Sequence, residues 1–189
     1  MSHLASAYDL PADWSPTQRY GPRRGGQAIV LGHWRAFDRI WSYPLWCPGV
    51  PLLDLKNHSV ATAELLAKLL EGRFKPGTLD VLTLSSHGIN EGGIALSRGN
   101  HLTAQTETKI LSRMRKLFSP HATVILDSCF AGGTERELEC QALADKLGAT
   151  VIATAEESFL PTNLNWLGSL FPRKVRTQWK AFSPKATVR

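Results

Sequence analysis

The run "ATVILDS" (122–128) limits the possible folds of this chain more than any other stretch. Its apolar residues follow one another without the polar alternation of a half-exposed strand, so both faces of the strand must be covered, as happens inside a parallel sheet. Parallel strands cannot be joined by a tight hairpin and need a crossover, usually a helix. The flanking sequence supplies these parts. "QAIVL" (27–31), "LDVLTLSS" (79–86) and "ATVIATA" (149–155) read as further strands. Ala63, Leu66, Ala67 and Leu70 repeat at helical spacing, with Ser59 as a cap and Gly72 as a stop. Over 106–118, Ile110, Leu111, Met114, Leu117 and Phe118 form one apolar side opposite Lys109, Arg113 and Lys116, and Pro120 follows. Thr134 to Glu137 has the pattern of a capping box, opening a third helix whose stripe is Cys140, Leu143, Ala144 and Leu147 before Gly148. "GGIALSRGNHLT" (92–103) reads as a small hairpin around Arg98-Gly99-Asn100. Helices alternating with buried strands predict an α/β fold with a mostly parallel central sheet.

At 189 residues and 43% hydrophobic composition the chain has material for one core of ordinary size. Residues 1–26, dense in Pro, Gly, Ser and Arg, read as a partly ordered N-terminal arm, and 27–189 as a single domain. The stretch up to Gly49, with Trp34, Trp41 and Trp46, has no clear period and is expected to be a long loop with some helix. No run approaches the roughly 20 apolar residues of a membrane helix. The opening "MSHLASAYDLPADWSP" has neither the basic nor the apolar region of a signal peptide, so the expected location is the cytoplasm, or outside it by a route that needs no such signal. Three scattered cysteines, Cys47, Cys129 and Cys140, suit neither a disulfide framework nor paired zinc ligands. The net charge of +6 is partly local. Arg173, Lys174, Arg176, Lys180, Lys185 and Arg189 crowd the carboxyl terminus around Trp179 and Phe182. Such a tail can grip nucleic acid or an anionic partner, or simply be solvated. With no DNA- or RNA-binding motif beside it, the solvated reading is preferred and nucleic acid is not the expected partner.

Two of the strands end on reactive side chains. "TLSSHG" places His87 and Gly88 just past one, and "ILDSCFAGG" places Cys129 just past another, with Gly132 and Gly133 beyond. If the helix at 106–118 links them as a right-handed crossover, the strands are neighbours, about 4.8 Å apart, with carboxyl ends pointing the same way. Open α/β sheets hold their ligand sites at that edge. A thiol is a strong nucleophile near neutral pH, and an imidazole can take its proton and later protonate a departing amine. The backbone N–H groups of Gly88 and Cys129, assisted by the helix opening near Thr134, are the candidate donors to an oxyanion. Gly132 and Gly133 are expected to leave room for substrate. Cys140 falls on a helix stripe and reads as core, and Cys47 as packed loop; His33, His58 and His101 are assigned surface or capping roles.

At these residues the sequence resembles the caspase-like cysteine peptidases, the superfamily of caspases, metacaspases, gingipains, legumain and separase, and in particular their bacterial members. Their catalytic His ends one strand as hydrophobic-x-S-H-G, and in metacaspases their Cys ends the next within D-S-C-x-x-G. Both motifs occur here in the same order over about 79–155. The resemblance implies a three-layer α/β/α sandwich and a Cys129/His87 dyad that needs no metal or cofactor. The substrate would be a polypeptide, cleaved by an endopeptidase that is self-processing or a secreted effector. It also implies that Asp127, two residues before the thiol, helps line the pocket for the residue before the scissile bond and favours Arg or Lys there; an Asp bonded locally at a strand end is the alternative. Glu156 and Ser158 are the implied opposite wall. "GPRRGG" (21–26) and "FPRKVR" (171–176) are then candidate self-cleavage sites. A catalytically weak binding module with a basic tail, and another thiol-based acyl transfer, are the competing functions.

Overall fold

A computed structural model describes residues 7–11, 14, 27–32, 51–54, 60–89, 92–155 and 178–185. Its strands are β1 (Ala7–Asp9), β2 (Gln27–Gly32), β3 (Leu52–Asp54), β4 (Leu79–Ser85), β5 (Ile94–Ser97), β6 (Asn100–Leu102), β7 (Phe118–Asp127), β8 (Thr150–Thr154) and β9 (Trp179–Phe182). The helices are α1 (Ala63–Glu71), α2 (Thr108–Leu117) and α3 (Glu137–Leu147), the last preceded by a 3₁₀ turn, Thr134–Arg136. A seven-stranded sheet runs in the order β1-β9-β8-β7-β4-β2-β3, and β5 and β6 pair as a separate hairpin.

The fold is α/β, but the sheet is mixed rather than mostly parallel. The pairs from β3 through β2, β4 and β7 to β8 are parallel, whereas β9 runs antiparallel to both β8 and β1. The antiparallel strand lies in the stretch expected to be a solvated basic tail. That expectation is corrected by burial: Trp179 and Phe182 are 1% and 0% exposed. Alternation sends Trp179 and Ala181 to one face and Lys180 and Phe182 to the other, where Lys180 Nζ meets Glu137 at 2.6 Å. Part of the expected N-terminal arm is likewise built in, since β1 pairs with β9 and Trp14 packs edge-on against Trp179 with ring centroids 5.0 Å apart.

The three helices among the described residues share one face of the sheet. Their buried stripes, Leu66 and Leu70, Ile110 and Met114, Leu143 and Leu147, join Leu82, Leu84, Val124, Leu126 and Val151 in one core. Each crossover advances across the sheet in the same direction, from β3 to β4, β4 to β7 and β7 to β8, and right-handed connections in one direction return on one side. Each leucine buried there stabilises the fold by about 1.5–3 kcal/mol. The opposite face carries a smaller cluster of Trp14, Val81, Ile125, Ile152, Trp179 and Ala181. It also carries polar side chains with no exposure at all: Thr83, Ser85, Thr123, Asp127 and Thr154.

Several local expectations are revised. Thr62 caps α1, its side chain accepting from the Leu65 N–H, while Ser59 lies outside the described residues. The capping box at Thr134 is not formed: the 3₁₀ turn intervenes, and Arg136 precedes α3 without a side-chain cap. Pro120 does not follow a break but sits inside β7. There the pairing jumps from Leu79↔Phe118 to Val81↔Thr123, so the missing N–H falls in an irregular stretch. No helix among the described residues is long and apolar enough to cross a membrane.

Candidate active site

β4 and β7 are parallel neighbours, and Ser85 pairs with Asp127 at the last rung. The Ser86 N–H extends the contact to the Asp127 carbonyl at 3.2 Å. His87 and Cys129 therefore lie two residues beyond the same rung of adjacent strands. The loops that follow are pressed together: a Cβ built on Gly88 would lie 2.0 Å from the Cys129 carbonyl oxygen. Only glycine permits that approach, so the segment carrying the imidazole rests directly on the backbone carrying the sulfur. His87 is exposed and Cys129 half-buried, so both are reachable from solvent.

The hairpin fixes the His87 segment from its other side. Gly88 bridges to Ile94, and the Ala95 N–H donates to the His87 carbonyl at 3.0 Å. In such a narrow antiparallel pair the N–H of the bridged residue points outward, which directs the Gly88 N–H away from the hairpin. This orientation suits the donor role expected of it. The other expected aid, a positive helix end near Thr134, is corrected. α3 begins at Glu137, and its first-turn acids occupy that end, Glu137 bound to Lys180 and Glu139 accepting the Ala104 N–H at 2.7 Å.

The turn after Cys129 is the most constrained backbone in the site. Phe130 has φ 56°, a left-handed conformation that a bulky side chain rarely adopts. Its carbonyl accepts from the Gly133 N–H at 3.2 Å and from Arg136 Nη1 at 2.6 Å. Thr154 clamps the loop to β8, its hydroxyl donating to the Ser128 carbonyl and its own carbonyl accepting from Gly132 N–H at 2.7 Å. Gly132 does not leave room for substrate as expected. A Cβ there would meet the Ala153 side chain at 3.0 Å and its carbonyl at 3.1 Å, so this glycine lets the loop lie flat on β8.

Asp127 is fully buried, and Ser85 Oγ donates to its Oδ2 at 3.3 Å. A signal for this contact existed in the sequence, because Ser85 and Asp127 each stand two positions before the reactive residue. Thr154 and Arg136 carried no such signal. Glu156 and Ser158, the expected second wall, lie outside the described residues, as do Cys47, His33, His58 and both candidate self-cleavage sites. His101 is half-buried in β6.

The other described thiol behaves differently. Cys140 lies on the buried face of α3, donates to the Ala131 carbonyl at 3.0 Å, and has its pKa pushed up to about 12 by burial. No group of three or more metal-ligating side chains occurs among the described residues.

The fold and this edge define a class: an α/β protein that presents a thiol and an imidazole from the carboxyl ends of two adjacent parallel strands. Residues 56–171 match the family described as Domain of unknown function (DUF8616), and the chain belongs to that family. The matched span runs from before α1 to beyond β8 and contains both His87 and Cys129. No curated protein matches the chain.

Proposed function

We propose that this protein is a cysteine endopeptidase in which Cys129 is the nucleophile and His87 the acid and base. The observation that supports the reading is the packing of Gly88 on the Cys129 carbonyl, which puts the backbone next to His87 against the backbone of Cys129 at the sheet edge. Cys129 Sγ attacks the carbonyl carbon of a peptide bond while its proton passes to the imidazole. The C–N bond breaks as the imidazolium returns that proton to the departing amine, leaving a thioester on Cys129. His87 then takes a proton from water, the hydroxide adds to the thioester, and the thiol leaves with the proton restored. The Gly88 N–H, turned away from its hairpin, is a donor for the oxygen on which negative charge develops.

The finer assignment, a caspase-like α/β/α sandwich, belongs to the same proposal. Motif order and strand adjacency support it, and it requires a further helical layer on the face opposite α1, α2 and α3. The preference for Arg or Lys before the cleaved bond rests on Asp127. Because that carboxylate is fully buried, a substrate cation must shed its water to reach it, which is favourable only with well-formed hydrogen bonds. The binding-module alternative loses the two aromatics of its supposed tail, which are buried in the sheet.

A panel of quenched peptides with Arg, Lys, Asp or Asn before the scissile bond tests the proposal. Turnover of the basic peptides, absent in Cys129→Ala, is expected. Cleavage that survives Cys129→Ala, or no cleavage of any peptide, overturns the peptidase reading; preference for Asp overturns the role of Asp127 alone.

A further inference from the structure

Two unfavourable features coincide at Phe130. Its backbone is left-handed at φ 56°, which strains a residue with a bulky side chain, and the residue is 44% exposed to water. Neither feature serves the core. The surrounding contacts impose them nonetheless: Gly133 and Arg136 grip the Phe130 carbonyl, and Gly132 and Thr154 bind the same loop to β8. Backbone strain that the surrounding contacts hold in place clusters at functional sites, and this position is next in sequence to the half-buried thiol of Cys129.

We propose that Phe130 is a specificity-determining residue, whose ring receives an apolar side chain of a polypeptide substrate close to the bond presented to Cys129. This rests on the peptidase reading for the role of Cys129, but recognition of the apolar side chain can be measured without turnover. The occupant is a peptide side chain because the exposed ring is small. It suits one Leu, Met, Phe or Val rather than the broad apolar area of a stable protein interface. Phe130 stays exposed instead of joining the core, so capture covers surface that folding leaves wet.

The test uses the full chain carrying Cys129→Ala and an immobilised peptide library varied on both sides of a central position, with Phe130→Gly added in a second protein. Glycine keeps the left-handed backbone and removes only the ring. Peptides with an apolar residue next to the central position are expected to be enriched about tenfold or more over polar ones, and the enrichment is expected to vanish in Phe130→Gly. Leu65→Ala, which removes an exposed apolar side chain from α1, should leave it unchanged. The thermal midpoint of Phe130→Gly should be unchanged or higher, because strain is relieved. A midpoint several degrees lower would make Phe130 a packing residue and overturn the proposal. So would enrichment that is equal in the two proteins or absent from both, or a concentration-dependent dimer of the parent that Phe130→Gly abolishes. If the library shows the apolar preference while wild-type protein cleaves none of the enriched peptides, Phe130 keeps its role and the peptidase reading fails.

Discussion

The helix-covered face of the sheet and the carboxyl edge of β4 and β7 are built on opposite terms. On the covered face, apolar stripes meet apolar strands and even the thiol is treated as hydrocarbon: Cys140 is 1% exposed and held far from its thiolate form. At the edge, a second thiol is half-buried, the backbone beside it is strained, and Ser128 Oγ is buried with no hydrogen-bond partner among the described residues. A cysteine used for packing stands eleven positions along the chain from one set where a reagent can reach it. Local structure, not residue type, decides what a thiol does.

The sharpest way to break this contrast is to delete each reactive group in turn. Cys129→Ala should lower peptide turnover by about a thousandfold or more, and His87→Ala by about a hundredfold or more, measured as kcat/KM. Comparable losses from Cys140→Ala would erase the distinction. Next comes the contact that joins the two halves. Gly88→Ala must move the Cys129 carbonyl or its own loop, and should cost about 1–3 kcal/mol in denaturant unfolding while slowing alkylation of Cys129. An unchanged alkylation rate would show that the contact does not set the position of the sulfur.

The third prediction concerns pH. Cys140 has its pKa raised from 9.0 to about 12, so the folded state keeps a proton that the unfolded chain releases. Its contribution is complete below about pH 9 and is lost as pH rises towards 12, at about 1.4 kcal/mol per unit. Wild type should therefore lose stability above pH 9 faster than Cys140→Ala, and parallel curves would contradict the assignment. The smallest effect is expected on the outer surface of the covered face. Arg113 binds both oxygens of Glu64 and both of Glu71, joining α2 to α1, and its hydrogen bonds hold each carboxyl below its ordinary value of 4.5. The depressed carboxyls stabilise the fold above pH 4.5, and that gain disappears as pH falls through their lowered values. Arg113→Gln should lower the thermal midpoint slightly at pH 7 and converge with wild type in acid. High salt should shrink the difference.

The same contrast decides how much could be read from the sequence. Long periodic signals report burial, and burial is what the covered face is made of. The stripes of α1, α2 and α3 and the strands β4, β7 and β8 were legible for that reason, and the hairpin around Arg98-Gly99 from its turn residues. The adjacency of His87 and Cys129 followed from one crossover and its handedness. Other short features, without a turn signal of their own, were not legible. β9 has only four residues and a lysine in its middle, so Trp179 to Phe182 read as a basic tail rather than a strand. The capping pattern at Thr134 was present in residues but absent in geometry, because a 3₁₀ turn occupies its place. Nothing in propensity places a phenylalanine at positive φ; that conformation is held by Gly133, by Arg136 in the 3₁₀ turn and, through the Ser128 carbonyl, by Thr154 of β8, and the last of these lies far along the chain.

The central claim is that Cys129 and His87 act on one carbonyl. Its most direct measurement is the rate and site of modification of native protein by a peptidyl electrophile, mapped by mass spectrometry in wild type and His87→Ala. The account predicts a single adduct on Cys129, none on Cys140, and a rate at least about a hundredfold lower without the imidazole. Equal rates in the two proteins, or an adduct on Cys140 of the folded chain, would contradict it.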